Sequence, residues 1–160
     1  MLIMGIDPGV AISGYGLVYS CNGAYSVVEY GVLRTDNDMP VEQRLKRVFE
    51  GYISLIDKYK PDAVAVEELF FNKNAKTVMT VGEGRGVALL AAALKGVDVF
   101  EYTPLQVKQA VVGYGRAQKM QIQEMVRILL NLDELPRPDD AADALAVALC
   151  HLNSNRINNL

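Results

Sequence analysis

The stretch Leu2-Ile3-Met4-Gly5-Ile6-Asp7-Pro8-Gly9 is an apolar run that ends in an aspartate followed by a Pro-Gly turn signal. Such a run predicts a short strand that is buried on both faces of a parallel sheet. Asp7 would then lie at the carboxyl end of this strand, where open α/β sheets place their ligands. An aspartate that merely starts a turn would give the same pattern, so the interpretation depends on the rest of the chain.

A hairpin and a helix follow this strand. The β-prone runs Tyr15–Ser20 and Tyr25–Leu33 flank Cys21-Asn22-Gly23, and Asn-Gly between two such runs predicts an antiparallel hairpin. From Val41 to Tyr59, large apolar residues recur at intervals of three and four, which predicts an amphipathic helix that starts after Pro40.

The next apolar run repeats the first pattern. Asp62-Ala63-Val64-Ala65-Val66 leads directly into Glu67 and Glu68. Two buried strands joined by a helix form a crossover connection, and crossovers give parallel strands. Asp7 and Glu67 are therefore expected side by side at the same edge of the sheet, with Glu68 on the opposite face because side chains alternate along a strand.

The second half of the chain is mainly helical. A long helix is predicted from about Asn74 to Leu94, and its part from Val87 to Leu94 is apolar all round, so it must be covered on two sides. A third buried strand is predicted over Val97–Phe100. Three more helices are predicted over Gln106–Val112, Lys119–Leu130 and Asp140 to about Leu152.

Composition favours a single globular domain. The chain has 160 residues, of which 51% are hydrophobic and 22% are charged, enough for one domain with a substantial core. No apolar run reaches the ~18 residues of a membrane span, and we find no secretory signal. Cys21 and Cys150 form no metal-binding pattern, which fits a reduced, cytoplasmic protein. A net charge of −3 argues mildly against nucleic-acid binding, unless the acids cluster in one site.

Two acids open the last predicted helix. Asp140 and Asp143 are three residues apart and share one helix face, and the alanines between them allow the helix to lie close to the sheet. This spacing also resembles a capping box, but Asp139 could cap the helix by itself and is expected off the Asp143 face. Asp7, Glu67, Asp140 and Asp143 would then meet at one end of the sheet.

Four carboxylates at one place call for a cation. Without one they repel each other, and some must take up a proton. Oxygen-only ligands suit hard cations such as Mg²⁺ or Mn²⁺, whereas His151, two turns beyond Asp143, is interpreted as a packing or surface residue. Paired divalent ions ~3.5–4 Å apart activate a water and stabilise the leaving oxygen of a phosphodiester.

The motifs together resemble one known family. The segments Gly5-Ile6-Asp7-Pro8-Gly9, Val66-Glu67 with Phe70 just beyond, Gln106-Val107-Lys108-Gln109 and Asp140-Ala141-Ala142-Asp143-Ala144-Leu145-Ala146 are similar to the RuvC family of Holliday-junction resolvases. Each motif alone is weak, but their order and spacing over nearly the whole chain are specific.

The resemblance implies an α/β, RNase H-like fold with a five-stranded mixed β-sheet and helices on both faces. Residues 1–152 would form a single nuclease domain, and the polar residues 153–160 a tail that frays. The resemblance also implies a homodimer that nicks four-way DNA junctions in pairs during homologous recombination and DNA repair, beside the RuvA–RuvB branch-migration complex. Two Mg²⁺ ions per site, for which Mn²⁺ substitutes, would be held by the catalytic acids Asp7, Glu67, Asp140 and Asp143.

Candidate DNA contacts surround these acids. Phe70 and Phe71 follow Glu67 on a loop, and either ring could pack in the core. The resemblance favours Phe70 as a ring that stacks on an exposed base. Basic residues on loops or helix starts near the acids, otherwise plain surface charges, could hold phosphates: Lys73, Lys76, Lys108, Arg116 and Lys119.

Three other functions would use some of the same residues. A different RNase H-like nuclease, such as a YqgF relative that acts on RNA, would share the fold. An actin-like ATP-binding kinase also has an Asp-x-Gly turn after its first strand, but Gly82-x-Gly84-x-Gly86 is not a phosphate-binding P-loop. A non-catalytic DNA-binding module is disfavoured because four acids would lie where phosphates must come.

Overall fold

The computed structural model describes residues 1–68 and 75–158, with side chains for residues 1–68 and 78–154. Strands and helices alternate in a pattern that the sequence largely predicts. In chain order the described elements are β1 (Leu2–Asp7), β2 (Ile12–Cys21), β3 (Ala24–Arg34), α1 (Val41–Tyr59), β4 (Ala63–Glu67), α2 (Ala75–Leu94), β5 (Asp98–Tyr102), α3 (Pro104–Val112), α4 (Lys119–Leu129) and α5 (Asp139–Asn158).

The five strands form one mixed sheet in the order β3-β2-β1-β4-β5. The central strand β1 is antiparallel to β2 and parallel to β4, and β5 continues the parallel half. The β2–β3 hairpin turns at Asn22 and Gly23, whose φ angles of 50° and 84° suit the turns that connect two-residue hairpins. The predicted hairpin and the predicted parallel pair are both confirmed.

Helices cover both faces of this sheet. Because successive side chains alternate, Ile3 joins a core on one face with α3, α4 and α5. Met4 and Ile6 join a second core on the other face with α1 and α2. This arrangement confirms that β1 is buried on both faces. None of the described helices combines the length and apolarity needed to cross a membrane.

The packing of α5 on the sheet requires glycine at two facing positions. A Cβ atom added to Gly14 of β2 would lie 1.9 Å from the carbonyl oxygen of Asp140. A Cβ atom added to Gly5 of β1 would lie 2.0 Å from the carbonyl oxygen of Ala144. The backbone of α5 therefore lies directly against β1 and β2, closer than any residue with a side chain would permit.

The structure differs from the prediction at the ends of several elements. Helix α3 begins two residues early because Thr103 caps it, with a reciprocal hydrogen bond to Gln106. Residues 153–158, expected to fray, continue α5. The Asn153 side chain holds this segment, since it donates to the Ala110 carbonyl oxygen at 2.9 Å and accepts from the Tyr25 hydroxyl at 2.6 Å.

Candidate active site

Strands β1 and β4 place the first two acids side by side. Ile6 is the register partner of Val66, so Asp7 and Glu67, the last residues of their strands, leave the sheet at the same level. Their carboxyl groups hydrogen-bond to each other. Glu68 lies just beyond β4 and is exposed.

Helix α5 brings the other two acids to the same end of the sheet. Its first turn packs on Gly14, which neighbours Asp7 across the β1–β2 pair. The charges of Asp140 and Asp143 are close enough to raise the pKa of Asp7. The four predicted acids therefore converge, two from strand ends and two from one helix.

The electrostatics of this cluster favour protonation. Burial, reinforced by the charges of Glu67, Asp143 and Asp140, raises the pKa of Asp7 to about 8. Burial also raises the pKa of Glu67 and of Asp143. Near neutral pH the hydroxyl of protonated Asp7 donates to the Glu67 carboxylate, so one proton lies between the two groups.

Lys119 partly compensates the negative charge. Its ammonium nitrogen lies 3.1 Å from Asp143 Oδ2 and 3.3 Å from Asp139 Oδ2. The prediction that Asp139 lies off the Asp143 face is therefore wrong, because residues four apart on a helix are neighbours. Asp139 is the first residue of α5, and its other oxygen accepts a hydrogen bond from buried Gln123 at 3.0 Å.

A cavity of about 210 Å³ opens beside the acids. Two carboxylates, two ammonium groups and four apolar side chains line this cavity. Its lining residues are Glu67, Asp143, Lys108, Lys119, Pro104, Val107, Ile122 and Ala146.

The turn after Asp7 is held from behind by residues that the sequence analysis did not single out. The Ser13 hydroxyl donates to the Asp7 carbonyl oxygen at 3.2 Å and accepts from the Gly9 amide at 3.3 Å. It also hydrogen-bonds to the hydroxyl of Tyr52 on α1. The signal available in the sequence was a tyrosine on the apolar face of α1, which by itself indicates only core packing.

The candidate DNA contacts are placed unevenly. Lys108 and Lys119 lie at the cavity, and Arg116 is exposed between α3 and α4. Phe70, Phe71 and Lys73 fall outside the described residues, as does the side chain of Lys76.

The donor set fits a hard divalent cation. No three His, Cys, Asp or Glu side chains in the described part of the chain already form a metal-binding group. The clustered groups offer carboxylate oxygens, the ligands that Mg²⁺ and Mn²⁺ prefer. His151 is a packing residue, as interpreted, because it is 1% exposed and contacts Phe100 and Tyr102.

This chain is similar to known proteins over almost its whole length. The family model described as crossover junction endodeoxyribonuclease RuvC matches residues 3–151. Proteins of that name from Ruminiclostridium cellulolyticum and Caldanaerobacter subterraneus are 58% and 57% identical, over 100% and 98% of this chain and 96% and 95% of theirs. The structure of T. thermophilus RuvC in complex with Holliday junction substrate superposes with a TM-score of 0.95 at 38% identity, covering 99% of this chain and 96% of that one.

Proposed function

Because this chain belongs to the RuvC family of crossover junction endodeoxyribonucleases, we propose that Asp7, Glu67, Asp140 and Asp143 form its hydrolytic centre. The fold is RNase H-like, and the enzyme is a Holliday junction resolvase of recombination and repair. The observation that supports this assignment is that four carboxyl groups converge at a buried position, where burial and the charges of the other three raise the pKa of Asp7 to about 8. Such perturbed groups beside a cavity are typical of active sites.

The family depends on a metal, and we propose that the four acids hold two Mg²⁺ ions, for which Mn²⁺ substitutes. When bound, such ions activate a water and stabilise the leaving oxygen of the phosphodiester. To hold the ions as ligands, Asp7 and Glu67 would release their shared proton to solvent. Asp140 and Asp143 present their oxygens from one rigid helical turn, so the geometry of the site is set before DNA arrives.

The basic residues hold the DNA strand over these acids. Lys108 and Lys119 stand at the cavity, where they contact the phosphates that flank the cut. Arg116, Lys73 and Lys76 contact phosphates further from it, and Phe70 stacks on an unpaired base at the crossover.

Substitution of the acids tests the assignment. Asp7→Asn, Glu67→Gln, Asp140→Asn and Asp143→Asn should each reduce cleavage of a four-way junction by at least about a hundredfold, with junction binding retained. Glu68→Gln is the matched control, because this exposed neighbour should keep the wild-type rate. Duplex DNA and an RNA hairpin, tested in parallel, separate a junction resolvase from other RNase H-like nucleases.

Either of two results would refute the proposed centre. One is cleavage by Asp7→Asn within a few-fold of wild type in Mg²⁺. The other is a loss of cleavage by Glu68→Gln as large as that of Glu67→Gln, which would mean that any nearby charge change disables the protein.

A homodimer would provide the two cuts that a junction requires. Exposed apolar side chains line one side of α2, namely those of Met79, Leu90 and Leu94. In a two-fold dimer, this stripe on each protomer would pack against the same stripe on the other. We propose that the dimer works beside the RuvA–RuvB complex, which supplies the junction.

A further inference from the structure

We propose that Ser13 and Tyr52 are positioning residues that fix the Asp7 carboxylate for metal binding. They act through the backbone of the turn that follows β1, and neither side chain is expected to touch the metal or the DNA. This inference rests on the metal-binding role proposed above for Asp7.

The hydroxyl of Ser13 is fully used. A serine hydroxyl can donate one hydrogen bond and accept two. The proton of Ser13 goes to the Asp7 carbonyl oxygen, and one lone pair accepts the Gly9 amide proton. The remaining lone pair faces Tyr52, so the direction of that bond is determined: the Tyr52 hydroxyl donates to Ser13.

The hydrogen bond between Ser13 and Tyr52 is buried, so its loss would not be compensated by water. Ser13 and Tyr52 are both 0% exposed, so water cannot replace either partner, and an unpaired hydroxyl there would carry a desolvation penalty. The phenol locks the rotation of the serine hydroxyl, and the serine locks the peptide planes of Asp7 and Gly9. A phenylalanine at position 52 would fill the same space but would release this chain of constraints.

Other contacts hold the far side of the same turn. The Thr35 hydroxyl donates to the Val10 carbonyl oxygen at 2.6 Å and itself accepts from Arg44 Nε at 2.9 Å. A Cβ atom on Gly84 of α2 would lie 2.9 Å from the Gly9 carbonyl carbon. With the later residues of the turn fixed in this way, Ser13 adds a hydrogen bond at the Asp7 end, beside the pairing of Asp7 with Gly14 of β2.

The test compares two Tyr→Phe changes on the same helix. Tyr52→Phe removes the hydroxyl behind Asp7, and Tyr59→Phe, the matched control, removes a hydroxyl that donates to Glu29 at 3.3 Å. We measure the Mn²⁺ concentration that gives half of the maximal increase in melting temperature. For Tyr52→Phe this concentration should be about tenfold higher than for wild type, a typical loss for a residue that supports a metal ligand. Half-maximal cleavage should need about tenfold more Mg²⁺, while the rate at saturating Mg²⁺ should change less. Tyr59→Phe should match wild type in both titrations.

A double-mutant cycle shows whether the two hydroxyls act as one unit. If they do, Ser13→Ala combined with Tyr52→Phe should raise the half-maximal Mn²⁺ concentration no further than Ser13→Ala alone. If Tyr52→Phe melts at a lower temperature but keeps wild-type metal titrations, the hydroxyl is merely structural and the inference is overturned. A wild-type protein whose melting temperature ignores Mn²⁺ would instead overturn the metal site itself, and the inference with it.

Discussion

Asp7 retains a proton at neutral pH that an exposed aspartate would lose, because burial and its acidic neighbours raise its pKa from 3.8 to about 8. The folded state therefore binds more protons than the unfolded state between these two values. Stability that depends on this group is present below pH 3.8 and is lost as the pH rises towards 8. The contribution of Asp7 to the stability of the metal-free protein therefore decreases between pH 3.8 and pH 8.

This linkage predicts how Asp7→Asn behaves without metal. In EDTA, the variant and the wild type should melt at similar temperatures near pH 4, and the variant should melt higher by pH 8. The difference should exceed about 1 kcal/mol, since a tenfold change in proton affinity is worth ~1.4 kcal/mol, and each kcal/mol corresponds to roughly 2–4 °C in Tm. Thermal unfolding from pH 4 to 9 measures it, and parallel curves for the two proteins would contradict it.

The sequence predicts the positions of the four acids but not the hydrogen bonds of Ser13 and Tyr52 behind Asp7. The acids were predictable because each ends an apolar run or opens a helix, so its place follows from the local pattern. Ser13 and Tyr52 were not, because a hydrogen bond between residues 39 positions apart exists only after α1 has packed on the sheet. Asp139 was misplaced for a simpler reason, since its spacing of four from Asp143 already puts both on one face.

Among the elements, α5 determines whether the acids meet. The alanines on its inner face predicted that α5 lies close to the sheet. The close contact also requires the glycines of β1 and β2 that face the helix. Gly14 and Gly5 read locally as weak points in strands. Both positions require glycine because the backbone of α5 lies against them. The sequence of a single strand does not show that a helix distant in the chain will pack there.

A single methyl group at this contact should separate the acids. Gly14→Ala puts a Cβ atom against the Asp140 backbone, so α5 must shift, which should cost about 1–3 kcal/mol and reduce cleavage more than junction binding. Gly31→Ala on β3 is the control, because its Cβ atom meets the hydroxyl of the Tyr15 side chain at 2.9 Å, and that side chain can move. Equal losses of Tm and cleavage in both variants would show that the Gly14 contact has no special role.

In the whole molecule, α2 lies between the turn that follows Asp7 and the outer surface of the protein. Gly84 on its inner side contacts Gly9, two residues after Asp7. On its outer side, Gly86 has open space around it, and Leu90, one turn further along the same side, is 54% exposed. Any protein seated on this outer side would therefore be held at a fixed distance from Asp7.

A second copy of the chain is the partner that we propose for this outer side of α2. A four-way junction has near two-fold symmetry, so two identical sites at a fixed separation can nick two like strands. The sequence predicted that α2 needs covering on two sides, and the described structure buries its inner side against the sheet. Apolar side chains left exposed along the other side of a helix are typical of an interface.

Leu90→Glu should separate the protomers without damaging the site. The substitution places a buried, unpaired carboxylate on both sides of a two-fold interface, which is strongly unfavourable. The variant should therefore be monomeric by light scattering at micromolar concentration. On a cruciform plasmid it should make single nicks where the wild type makes paired cuts. Ile128→Glu on α4, where the side chain is 55% exposed, controls for the added charge and should remain dimeric with paired cuts. A wild type that stays monomeric on junction DNA and still cuts both strands in concert would exclude the dimer.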